Sequence, residues 1–106
     1  MKALVIAALA LAAGAASAEH GARSVPALPL YTQECGSCHV AYPPGLLPAP
    51  SWQHLMGGLK QHFGSDASLD AAATASLSAW LQGNASRRRG EAPPEDRITR
   101  SAWFVH

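Results

Sequence analysis

Apolar residues run almost unbroken from Ala3 to Ala16, and only beyond them do polar and apolar positions begin to alternate. The clearest period lies between Trp52 and Phe63. At about 100° per residue, Trp52, Leu55, Met56, Leu59, His62 and Phe63 share an arc of roughly 120°, which predicts an amphipathic helix. Ser51 is its expected N-cap and Gly64 its stop. His54 falls roughly 140° from the middle of that arc, beside Gly57 and Gln61, so it is expected to face water. A second helix is predicted from Leu69 to about Gln82, capped by Ser68, with Asp70 in its first turn and Gly83 just past its end. Shorter helices are expected over Leu30 to Val40 and Thr99 to His106. The segments between them read as loops. Ala41 to Pro50 holds Pro43, Pro44, Pro48 and Pro50, which fix φ and exclude regular helix. Arg87 to Asp96 is charged and carries Gly90, Pro93 and Pro94, while Glu19 to Pro29 is an irregular arm. There is no strand alternation and no internal repeat. The fold class expected is mostly α: a small helical domain with long proline-rich loops.

The first apolar run changes the boundaries of that domain. Lys2, the apolar stretch and Ala16-Ser17-Ala18 are the parts of a secretory signal peptide, with cleavage expected after Ala18. The stretch is shorter than the ~20 residues of a spanning helix. Residues 1–18 are thus read as signal and 19–106 as one exported domain, with no membrane span once the signal is removed. The whole chain has eight Lys/Arg and seven Asp/Glu. Lys2 leaves with the signal, so the mature domain is formally neutral and offers no general field for nucleic acid or an anionic membrane. Such a small domain builds a thin core and often needs a covalent or cofactor staple. Its two cysteines would lie in an oxidising compartment, where free thiols are a liability.

Those cysteines carry the chemistry. Cys35-Gly36-Ser37-Cys38-His39 is the C-x-x-C-H haem-attachment spacing. On a helical turn, positions i, i+3 and i+4 share a face. Two sulfurs can then reach two vinyl groups on one porphyrin edge while the next imidazole meets the iron. Gly36 and Ser37 are small enough for close approach of the ring. Cys35 and Cys38 are expected as thioethers and His39 as proximal ligand. The proline loop is a candidate source of the carbonyl that orients His39, or else a stiff surface loop. Three other readings fit less well. A thioredoxin-type pair expects a βαβ context. A zinc site would need His54 and His62, whose spacing is too wide. A plain disulfide leaves His39 unexplained.

A second axial ligand has several candidates: His20, His54, His62, His106, Met56, or an open position. His62 is preferred because it edges the apolar arc one turn beyond Gly58, where a flat macrocycle can approach. A partly buried His62 with no ligand role, and Met56 as the ligand, remain alternatives. Met56 inside the arc also suits ordinary core packing.

Glu34 to Pro48, with the C-x-x-C-H at its head and Tyr42-Pro43-Pro44-Gly45-Leu46-Leu47 after it, resembles the bacterial dihaem cytochrome c family. The likeness continues through Ser51-Trp52, Leu55-Met56, His62-Phe63-Gly64, Asp66-Ala67-Ser68-Leu69, Arg97-Ile98-Thr99 and Trp103-Phe104. It implies a small cytochrome c-like domain in a periplasmic electron-transfer protein, with low-potential, bis-histidine haem and His62 in the matching His-Phe-Gly. Family members continue past Trp-Phe into a second C-x-x-C-H. This sequence reaches His106 with one such motif, which leads to the expectation of one covalent haem c per chain, in a monohaem variant or a shortened reading frame. His106 lies near a further family histidine, but the local match is imperfect and no role is carried over.

The leading functional expectation is therefore a non-enzymatic electron carrier, exchanging single electrons with other redox proteins of the periplasm or membrane respiratory chain. A haem-based gas sensor with an open sixth position is the rival. No paired carboxylates or activated nucleophile suggest a catalytic site. Arg87, Arg88 and Arg89 follow a helix C-terminus, where cations are favoured, and read as a solvated face. A sharper reading pairs one of them, or Arg97, with a haem propionate or an acidic partner.

Overall fold

A proline in the first turn of a helix loses no hydrogen bond, because that N–H has no partner within the helix. Four of the described elements use this, the 3-10 turn Pro94–Asp96 among them. In the computed structural model, which describes residues 25, 27–88 and 92–105, helix α1 (Pro29–Cys35) begins on Pro29 behind an extended Leu28. A single 3-10 turn, Pro44–Leu46, begins on Pro44. Helix α2 (Ala49–Gly57) has Pro48 at its N-cap and Pro50 in its first turn. The expected proline loop is therefore a loop only as far as Leu47, and its last residues launch a helix. Ser51, expected as the cap, lies inside α2, fully buried with its hydroxyl unpartnered.

Two expected helices are cut short. The one anticipated over Leu30 to Val40 ends at Cys35, and residues 36–38 form a turn in which the Gly36 amide donates to the Thr32 carbonyl. The one anticipated over Trp52 to Phe63 breaks at Gly57-Gly58. Each glycine costs about 1 kcal/mol against alanine in a helix interior, and a pair suffices to end a helix of this length. The chain continues as a 3-10 turn, Leu59–Gln61, then reverses at His62 to Ser65. There the His62 amide donates to the Ser65 carbonyl at 2.8 Å and the Ser65 amide donates back at 3.0 Å. Gly64 supplies the left-handed φ of 88° that this reversal requires.

Helix α3 (Ala71–Gly83) is capped by Asp70, not Ser68: an Asp70 carboxylate oxygen accepts from the Ala73 amide at 2.7 Å. Ser68 instead donates its amide to Asp66 at 2.9 Å, and bonding from Ser68, its side chain first and this amide second, holds the Asp66 carboxyl below its usual range. Asp70→Ala is accordingly expected to cost about 1 kcal/mol, read as a lower denaturant midpoint, while removing the Ser68 hydroxyl costs far less. The C-terminal stretch is two short pieces, a 3-10 turn Ile98–Arg100 and helix α4 (Ala102–Val105), where one helix was expected.

Helix α2 packs on α3, and α1 on α3. Between them Leu47, Leu77 and Leu81 are fully enclosed, with Tyr31, Trp52, Met56 and Ile98 nearly so. Polar tips of the aromatic residues tie the loop to this core. Trp52 Nε1 donates to the Pro44 carbonyl at 2.7 Å, and the Tyr31 hydroxyl donates to the Tyr42 carbonyl. Burial, with Cys35 adding to it, pushes the Tyr31 phenol up to about 12, which keeps it a neutral donor. Among the described residues there are isolated bridges but no strand, and the mostly helical fold is the one expected. No described helix is long and apolar enough to cross a membrane. The expected signal peptide (residues 1–18), His20, Arg89 and His106 lie outside the described residues.

Candidate functional site

Helix α1 ends where the chemistry begins. Cys35, its last residue, is half-buried, and the following turn carries Cys38 and His39 to the surface. The three side chains are therefore presented by a helix end and a turn, not by the continuous helical face expected from their spacing. Gly36 owes its small size to its own helix, since a Cβ there would run into the Thr32 carbonyl oxygen.

His39 is oriented by its nearest neighbour. Its Nδ1 lies 2.7 Å from the Val40 carbonyl oxygen. A carbonyl only accepts, so Nδ1 carries the proton and Nε2 keeps its lone pair. The acceptor is Val40 rather than the proline loop, whose carbonyls at Tyr42 and Pro44 serve Tyr31 and Trp52.

Two rings lie near His39: Tyr42, with centroids 5.9 Å apart and planes 39° apart, and the more nearly parallel His62. The centroids of His39 and His62 are 6.3 Å apart and their planes differ by 17°. Two metal–nitrogen bonds of about 2 Å each, with the radius of each imidazole added, also span about 6 Å. His62 reaches this place from the turn after the Gly57-Gly58 break, not from the continuous helical arc expected to position it. Its Nδ1 is buried and has no hydrogen-bond partner. Burial, and secondarily the charge of His39, lowers its pKa. A neutral imidazole with an uncommitted nitrogen is the form a metal needs.

Cys35, Cys38, His39 and His62 all border one open cleft of about 630 Å³, within the usual range for a cofactor pocket. Its floor is apolar and includes Trp52 and Met56. Met56 belongs to the core cluster. His54 is exposed as expected, 3.4 Å from Asp96, a pairing that no periodicity announced. Arg87 and Arg88 are exposed, while Arg97 borders the cleft. Burial, then Glu34, raises the Cys35 thiol pKa, opposite to the lowered value of a redox-active thiol. Among the described residues no three His, Cys, Asp or Glu side chains converge as a zinc site requires. The donors fit a c-type haem, which asks for two sulfurs and a proximal imidazole beside an apolar slot.

The family model for dihaem cytochrome c matches residues 31–106. The chain belongs to the dihaem cytochrome c family. It is similar to the crystal structure of DHC purified from Rhodobacter sphaeroides, at 44% identity and a TM-score of 0.66, over 76% of this chain and 70% of that one. It is also similar to the dihaem cytochrome c of Shewanella baltica OS155, at 42% identity and a TM-score of 0.63, over 73% of this chain and 57% of that one. A further dihaem cytochrome c structure from Rhodobacter sphaeroides matches at 40% identity and a TM-score of 0.65, over 76% of this chain and 71% of that one. No curated protein matches. Membership of this family makes the chain a haem-based electron-transfer cytochrome of the c type.

Proposed function

We propose that the chain is a periplasmic one-electron carrier with one covalent haem c, attached at Cys35 and Cys38 and ligated by His39 and His62. The observation that carries this reading is the pair of near-parallel imidazoles 6.3 Å apart beside the two cysteines. Bound haem supplies reversible one-electron exchange at its iron. The protein's residues do the rest. Cys35 and Cys38 tether the ring edge, and Val40 holds the His39 imidazole in the tautomer that leaves Nε2 free. Hydrogen bonding to a proximal histidine raises its basicity. Two imidazoles stabilise ferric iron more than a histidine–methionine pair does, so the potential is low. Trp52 and Met56 keep water from one side, while the exposed turn at Cys38 and His39 leaves an edge open for electron exchange. Partners are other redox proteins of the periplasm or the membrane respiratory chain. No substrate chemistry is assigned, and export rests on the Lys2, apolar run and Ala16-Ser17-Ala18 pattern.

The test is a visible spectrum of the purified protein, oxidised and reduced, before and after carbon monoxide. The expected result is a low-spin spectrum in both states, without the red sulfur-to-iron band and unchanged by the gas. Carbon monoxide binding by the unmodified protein would indicate an open position, and a red band would hand the ligand role to Met56.

A further inference from the structure

Among the described residues, three other than glycine adopt left-handed backbone: Phe63 at φ 49°, Glu95 at 58° and Asp96 at 54°. Such conformations are unfavourable for these residue types and persist where the surroundings hold them, often at functional sites. Phe63 directly follows His62, and Glu95 and Asp96 directly precede Arg97, whose guanidinium reaches the Phe63 ring. The Phe63 ring lies 4.8 Å from the His62 ring at 59°. The Arg97 guanidinium carbon lies over the Phe63 ring, 4.3 Å from its centroid. Arg97 follows the 3-10 turn Pro94–Asp96. That turn is fixed on both sides: Glu95 accepts from Arg97 Nε at 3.0 Å and Arg100 Nη1 at 3.1 Å, and Asp96 faces His54 of α2 at 3.4 Å.

We propose that Arg97 is a positioning residue for His62, clamping the Phe63 ring so that the imidazole stays in its liganding place. The proposal rests on His62 being the axial ligand. Phe63 is partly exposed and its backbone is unfavourable, so the His62 turn has little hydrophobic burial of its own to hold it. The cation over the ring supplies an attraction, and the planar guanidinium holds Glu95 at the same time, which a lysine cannot match. Because Glu95 offsets the charge of Arg97, the effect on the iron runs through the place of the ring rather than through a bare positive field.

The test compares R97Q, R97K, F63L and H62A in the haem-loaded protein. The readouts are the ferric electron paramagnetic resonance spectrum, the rate of carbon monoxide binding after reduction, and thermal stability. An exposed contact of this kind shifts an equilibrium by roughly two- to fivefold. R97Q and F63L should each raise the carbon monoxide binding rate by about that factor and alter the low-spin resonance. The double variant should go little further, and R97K should fall between. The clamp is wrong if R97Q lowers thermal stability but leaves the axial spectrum and gas binding as in wild type while H62A opens the site; the His62 assignment then survives. An R97Q effect with none from F63L also overturns it, since the charge then acts without the ring. If H62A itself changes nothing, the ligand assignment fails and takes the clamp with it. Should R97Q not fold, R97K and F63L decide between the same outcomes.

Discussion

His62→Ala is expected to convert the ferric protein from low-spin to high-spin and to let the reduced protein bind carbon monoxide. Alanine has no donor, and no other imidazole is placed to take over among the described residues: His54 is exposed and 3.4 Å from Asp96 on the outer side of α2. Axial ligation moves haem potentials over a span of about 0.8 V. Loss of one strong imidazole donor should therefore raise the potential by something on the order of 0.1 V, measurable by potentiometric titration. His54→Ala serves as the control and should leave spin state and potential alone. Met56→Leu keeps the volume of a core residue and should cost less than about 1.5 kcal/mol without altering the spectrum. If Met56→Leu opened the site while His62→Ala did not, the ligand would be methionine and the low potential would go with it.

The second large effect is expected from Cys35→Ala combined with Cys38→Ala. Haem stain on a denaturing gel should follow the wild-type polypeptide and be absent from the variant. The consequence extends to the fold. Leu47, Leu77 and Leu81 are the only large hydrophobic residues fully enclosed among those described, and Trp52 and Met56 have a cleft on one side instead of protein. A group that binds only the folded state stabilises it by mass action. Losing even about 2 kcal/mol moves the melting temperature of a domain this size by roughly 10 °C. The variant should thus melt lower and less cooperatively, as followed by circular dichroism. Haem stain that persisted on the doubly substituted chain would rule out thioether attachment at these positions.

The attachment motif was legible because its spacing is chemical: two sulfurs and an imidazole within five residues leave few alternatives. The helices were legible in existence but not in extent. Pro48 and Pro50 read as loop residues because proline excludes helix interiors, yet their places at the cap and first turn of α2 are where proline is tolerated. Ser68 and Asp70 are both good capping residues, and only the fold shows which one faces the free amides of α3. The helical arc that marks His62 is interrupted by Gly57-Gly58, whereas the His-Phe-Gly resemblance does not depend on that arc. The contacts of Phe63 with Arg97 and His62 were out of reach of any local pattern. The first joins residues more than thirty positions apart, and positive φ at Glu95 and Asp96 leaves no mark in composition.

The two sides of the cleft differ in how far along the chain their parts must travel. His39 is oriented by the residue beside it, through Nδ1 and the Val40 carbonyl, and both cysteines lie within the preceding four positions. All of that can form in a chain with no tertiary structure. His62 reaches the cleft only when α2 has docked on α3 and the turn after it has closed. Contacts of short sequence separation form sooner than distant ones, because less chain entropy is lost in closing them. A newly made polypeptide can therefore bring its attachment side together while still largely unfolded. Arrival of His62 is then the late event, and on the proposed ligation a low-spin spectrum would report that folding is complete.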